Sequence, residues 1–330
     1  MVPVSGALAR RACMPTQVFL TIDTELMWRH HVAGLDLAEM AARSFEPAGV
    51  GVGWQLERLA AHGLKACFFV DPMPALIHGL APIAAVVRAI RAAGQEVQLH
   101  LHPNWTGASA ADRAKMPARF DLVDYGAEEQ RALIRQARAL LIEAGARPPI
   151  AFRGGSYSAN DATLAALATE GFAYDSSHNG SEHPWPSGIG LLPQRIAPVL
   201  HQGVIEVPVT LIDAGPQLRH FQICALSARE MRAALDHAVA ERHAAVTIVS
   251  HGFELANRTG TRPNAVHVRR FEALCAMLAA RRAVLPTAHF ADRPALALDQ
   301  DDAPLAPSML RTRLRQAEQL WSNLVEERAG

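Results

Sequence analysis

The chain has 330 residues, half of them apolar, and 32 lysines and arginines balance 32 aspartates and glutamates. That is enough apolar surface for one large folded domain, and the even charge, with no basic patch or tail, excludes the usual nucleic-acid binder. Four scattered cysteines (Cys13, Cys67, Cys224 and Cys275) with no C-x-x-C exclude a disulfide scaffold and a zinc–cysteine site, and no apolar run reaches the ~20 residues of a membrane span.

Residues 1–13 carry arginines after a weak apolar stretch rather than before a strong one, which makes a poor secretion signal. They are expected as a disordered extension, and the protein as cytoplasmic. Residues 17–22 (QVFLTI) read as a buried strand, followed by a loop. Apolar spacing at Trp54, Leu56 and Leu59 predicts a helix over 47–62, stopped by Gly63, and KACFFV (65–70) is the second strand. The pattern repeats: helix 76–93, Gly94, strand 95–101; polar loop 103–125; helix 127–144, Gly145, strand 149–152. Helix 160–170, capped by Asn160 or Asp161, stops at Gly171 before the strand FAYD.

A Pro/Gly-rich loop fills 176–203, and IEVPVTL (205–211) resumes as strand. Ser227 and Glu230 make a capping box for helix 228–242, and strand 244–250, helix 264–282 and a last strand over 284–288 complete the series. About eight strands alternating with helices imply right-handed βαβ units and a parallel sheet. The expected fold is a closed or nearly closed β/α barrel, with a doubly wound open sheet as runner-up. That rival calls for a glycine-rich turn after the first strand, where this chain has carboxylates. Residues 293–307 are expected as a linker. A C-terminal helix over 308–330 follows, whose stripe of Leu310, Leu314, Ala317, Trp321 and Leu324 should dock on the barrel, with a partner or subunit contact as the alternative.

Polar residues stand where five of these strands run out: Asp23 with Glu25, His100 with His102, Arg153, Asp175 and His251. In a β/α barrel those ends converge on the face where active sites are built. Asp23 and Glu25, two apart, point the same way, and so do His100 and His102. Two carboxylates aimed together call for a cation or a shared proton, and two imidazoles beside them suit a divalent metal. Arg153 reads as a fork holding the Asp23 carboxylate, and His251 with Asp175 as a protonated acid. Gly154 and Gly155 allow close approach of backbone to a ligand, so that the N–H of Ser156 or Tyr157 could meet an oxyanion. Trp28, Trp105 and Trp185 fall in loops at the same mouth, where a ring stacks on a sugar or simply packs. Glu254, His220 and the His30–His31 pair receive no role.

The ordered set TIDTE, EVQLHLHP, FRGGSYS, YDSS and VSHGFE, spread over residues 15–290, resembles the motifs of the NodB-homology polysaccharide deacetylases, carbohydrate esterase family 4. The T-I-D-x-E and L-H-x-H-P forms look most like the branch of lipopolysaccharide and O-antigen biosynthesis. The resemblance implies an irregular (β/α) barrel and removal of an N-acetyl or related acyl group from a sugar or glycan with a divalent metal, zinc above all. It implies Asp23 as general base, Glu25, His100 and His102 as metal ligands, Arg153 as the group orienting the base, and Asp175 as the partner of the acid His251. Two departures stand out. Thr24 separates carboxylates that the family has adjacent, and the family's second histidine, four residues on, falls here at Asn104. Three other readings remain: a hydrolase of a non-sugar amide such as a ureide or formamide, a non-catalytic carbohydrate binder, and an unrelated barrel lyase or phosphatase.

Overall fold

The computed structural model describes residues 14–113 and 116–327; the expected extension at 1–13 lies outside them. Eight strands form one sheet: β1 (Gln17–Thr24), β2 (Cys67–Val70), β3 (Glu96–Leu101), β4 (Ala151–Gly154), β5 (Tyr174–Asp175), β6 (Val199–His201), β7 (Val204–Glu206) and β8 (Ala245–His251). Their order is β8-β1-β2-β3-β4-β5-β7-β6, parallel except for the β6–β7 hairpin. The crossover helices are α1 (Val52–His62), α2 (Ala81–Ala92), α3 (Ala127–Glu143), α4 (Asp161–Thr169), α5 (Ala228–Ala240) and α6 (Ala265–Ala280). Their sequence-level punctuation holds: Gly63, Gly94, Gly145 and Gly171 all take positive φ, and the Asn160 and Ser227 side chains accept from the backbone N–H of Thr163 and Glu230.

Two strand expectations fail where proline removes a donor. The run 205–211 leaves the main sheet's ladder after Glu206, because Pro208 has no N–H to give it, and only Leu211 pairs again, with His220 in a separate antiparallel ladder. The chain then crosses from the β5 side, where Val207 N–H meets the Asp175 carbonyl at 2.8 Å, to β8, where Thr210 N–H meets the Thr247 carbonyl at 3.1 Å. This irregular stretch closes the barrel. Residues 284–288 form no strand; Pro286 and Ala288 only bracket Val18, on the part of β1 that β2 leaves uncovered. The hairpin strand β6 takes the eighth place. The segment expected as loop after β1 contains helices Trp28–Val32 and Leu37–Phe45, the latter capped by Asp36.

Alternation along the strands separates two cores. Val18, Leu20 and Ile22 face the helices, whereas Phe19, Cys67, Phe69 and Tyr174 pack with Phe290 inside the barrel. Phe19 and Phe290 stack at 4.5 Å and form the floor on which the polar site rests.

Residues 293–307, expected as a linker, are bonded to the barrel: Ala244 N–H donates to Asp302 and Asp213 N–H to the Leu305 carbonyl. Helix α7 (Met309–Trp321) follows. Its apolar stripe does not dock as expected: Leu310 is 70% and Trp321 58% exposed. The helix is held instead by polar contacts, Glu318 to the Arg270 guanidinium at 2.9 Å and Ser322 to the Asn264 amide at 3.0 Å. No helix among the described residues is long and apolar enough to cross a membrane.

Candidate active site and metal centre

Strand register sets the predicted residues side by side. His251 is the lateral neighbour of Asp23, His100 of Arg153, and Asp175 of Glu206. Interior-facing columns then rise from the aromatic floor. β1 contributes Phe19, Thr21 and Asp23, with Glu25 just beyond; β3 contributes Gln98 and His100, with His102 beyond.

Glu25, His100 and His102 offer one carboxylate oxygen and two imidazole nitrogens, all within 4.8 Å of one another. His100 donates Nδ1–H to the Arg153 carbonyl at 2.8 Å, which leaves its Nε2 lone pair toward Glu25, 3.5 Å away. His102 Nε2 touches the same Glu25 oxygen. The i, i+2 spacing therefore does bring the second imidazole to the group, and the reason lies in the neighbouring strand. A Cβ on Gly155 would stand 2.3 Å from His102 Nδ1. Gly155 thus makes room for a protein side chain, not for backbone approach to a ligand as the sequence suggested, and Gly154 lies as close to the Ser158 carbonyl.

Burial alone would raise the Glu25 carboxyl, but His102 and His100 outweigh it and hold it well below the usual range. Burial would lower His102; Glu25, with Asp71 and Asp23 behind it, pushes it up to about 9. A cation therefore competes with a proton for that nitrogen. An oxygen and two nitrogens that converge, one imidazole with its tautomer already set, fit a divalent ion of the zinc type.

Arg153 is fully buried and each arm has a partner: Nη1 donates to Asp23 Oδ1 at 2.8 Å and Thr21 Oγ1 at 2.7 Å, Nε and Nη2 to the Ser176 carbonyl and hydroxyl. Its guanidinium lies 4.5 Å over the Phe69 ring. One Asp23 oxygen is thus pinned, and the other faces His251 Nε2 at 3.8 Å.

The carboxylate beside His251 is not Asp175. Asp175 accepts from the Ser177 hydroxyl and N–H and shares a hydrogen bond with the Glu206 carboxyl; burial raises both acids, Glu206 well above its usual range. His251 instead has Glu254, whose Oε2 accepts His251 N–H at 3.1 Å and lies 3.7 Å from Nδ1. Gln222 Nε2 donates to Glu254 Oε1 at 2.9 Å and stands 3.2 Å from His251 Nδ1. With Gln222 donating to Nδ1, the ring proton is on Nε2, and the imidazolium also carries one there. Burial works against His251 protonation, yet Glu254 raises its pKa; Glu254 itself is held at about 2 against its burial, by His251 first.

Other expectations divide. Trp105 is buried against Trp28, His31 and His78, and so packs rather than offering a face to a sugar; Trp185, 62% exposed, is the free ring of the three. Ser156 and Tyr157 both take positive φ at the site's edge, a strained pair in residues other than glycine. Glu254, Asp71 and Gln222 stand at the site with no role assigned to them from the sequence. Glu254 stands three residues after His251 in VSHGFE and Asp71 directly ends β2, so the strand-end rule could have found both. Gln222 arrives from an irregular segment with no signal.

No family model and no curated protein matches the chain. Among solved structures, a candidate polysaccharide deacetylase from Mycobacterium smegmatis aligns with a TM-score of 0.51 at 20% identity, over 87% of this chain and 95% of that one. A family 4 carbohydrate esterase from Streptomyces lividans, solved with acetate, aligns with a TM-score of 0.43 at 15% identity, over 90% of this chain and all of that one. At these identities the likeness is one of fold: the chain has the irregular (β/α) barrel of the mycobacterial protein.

Proposed function

We propose that this chain is a metal-dependent hydrolase that removes an N-acetyl or related acyl group from a sugar, in the assembly of surface polysaccharide or lipopolysaccharide in the cytoplasm. The observation that carries the reading is the Asp23 carboxylate, gripped by Arg153, with the Glu25–His100–His102 triad on one side and His251 on the other. A divalent ion on the triad, zinc by its donor set, would supply Lewis acidity, making water acidic and polarising the acyl oxygen. Asp23 takes the proton of the attacking water with its free oxygen, while Arg153 fixes the carboxylate's orientation. His251 gives the Nε2 proton to the departing amine, and Glu254 steadies the charged ring, the role expected of Asp175. The N–H of Ser156 or Tyr157 supports the acyl oxygen as charge develops on it. The acetamido-sugar substrate and the pathway rest on the motif resemblance.

A panel of acetamido sugars, free, nucleotide-linked and lipid-linked, should release acetate with the zinc-loaded protein, and Asp23→Asn should abolish release. Hydrolysis of ureides or formamides alone would replace this substrate class, and sugar binding without turnover would make the chain a binder.

A further inference from the structure

β2 carries its own interior column between those of β1 and β3: Cys67, Phe69 and then Asp71. Asp71 N–H donates to the Thr24 carbonyl at 3.0 Å, which continues the β1–β2 ladder one residue past the strand. Phe69 is level with Asp23 and with Gln98, so Asp71, two residues on, is level with Glu25 and His100. Its side chain is fully buried. Oδ1 accepts Met73 N–H at 3.0 Å, while Oδ2, equally enclosed, has no hydrogen-bond partner. An orphaned carboxylate oxygen in a barrel interior is destabilising unless something meets it. Burial pushes its carboxyl up to about 6, with Glu25 acting the same way, against His102 and His100, which favour its anion.

Asp71 is not part of the convergent triad, so it does not belong among the groups that touch an ion. A dication faced by Glu25 and two neutral imidazoles keeps one uncompensated positive charge, and uncompensated charge in a buried site is costly. We infer that Asp71 is a fourth protein group of the metal centre, an outer carboxylate whose anion neutralises a divalent cation held by Glu25, His100 and His102. The inference rests on the metal-centre part of the proposed function and extends it to a residue outside the motifs.

Zinc titrated into the metal-free protein, followed by calorimetry and by competition with a chromophoric chelator, tests it without any substrate. Asp71→Asn keeps the shape and the acceptor for Met73 N–H. It should weaken zinc binding ~10–100-fold, the usual effect of removing an outer group, while the metal-free protein melts no lower than wild type. Zinc affinity within twofold of wild type would overturn the inference and leave the deacetylase reading standing. A wild-type chain that binds no zinc would remove the metal centre itself, and with it both. Should D71N fail to fold, Asp71→Ser, which also offers Met73 N–H an acceptor, takes its place; loss of the metal-free fold in both would mean that the carboxylate is structural, and would overturn the inference as well.

Discussion

Gly155 offers a test of geometry that leaves every proposed ligand intact. Its φ lies outside the left-handed region, so alanine fits the backbone there, and the one consequence is steric: the new Cβ would stand 2.3 Å from His102 Nδ1, where ordinary contact begins at 3.4 Å. The imidazole must retreat by about 1 Å, whereas metal–ligand distances tolerate only ~0.2 Å. The Gly155→Ala protein should therefore keep its fold and lose one of three ligands. A loss of ~100-fold in zinc affinity, about 2.7 kcal/mol, is expected. Gly154→Ala is the contrast, because its Cβ would meet the Ser158 carbonyl, backbone that cannot rotate away, at 2.2 Å. That variant should lower the melting temperature of the metal-free protein, and G155A should not. Calorimetric zinc titration and thermal melts of both decide it. G155A binding zinc within threefold of wild type would refute the placement of His102 in the centre.

Three further outcomes follow from the charges. Glu254 raises the His251 pKa, so Glu254→Gln should move the alkaline limb of the kcat/KM profile to lower pH, whereas an unmoved limb would deny the pair. His102 stands at about 9, so zinc binding at pH 7.5 should release a proton from it, seen as heat that varies with the buffer's ionisation enthalpy; equal heats in all buffers would contradict that. The Glu206 carboxyl is raised by burial and by Asp175, so its contribution to stability is whole below the unfolded carboxylate pKa and is lost as pH rises through the folded value. Glu206→Gln, which keeps an acceptor for His178 N–H, should therefore gain stability over wild type on going from pH 5 to pH 8 in urea unfolding, and a pH-independent difference would refute the shared-proton pair.

The strand ends were legible because two local rules coincide there. An apolar run bounded by a polar residue marks a buried strand, and parallel strands send those residues to one face. Asp23, Glu25, His100, Arg153 and His251 needed nothing more. Asp175 stood at a strand end too, but the carboxylate beside His251 is Glu254, and that depends on where the loop from His251 to Glu254 turns back. Gly155 could be seen as a glycine but not as the counterpart of His102, a contact between strands about fifty residues apart. Pro208 and Pro286 were in plain view, and the absence of their N–H groups explains why one apolar run breaks after Glu206 and the other forms no strand. The stripe on α7 shows the limit of periodicity. It identifies a helix face, but the Glu318–Arg270 and Ser322–Asn264 contacts decide which face turns inward.

The central claim is that the triad's metal and the Asp23–His251 pair together release acetate. The direct measurement strips the protein with a chelator, returns zinc in steps, and follows acetate release from an N-acetylated sugar. Turnover should rise with bound zinc and saturate at about one ion per chain, as a single three-ligand site requires, and His102→Ala should show neither tight zinc nor turnover. Full turnover by the metal-free protein, or a saturated triad with no acetate released from any acetamido sugar, would contradict it.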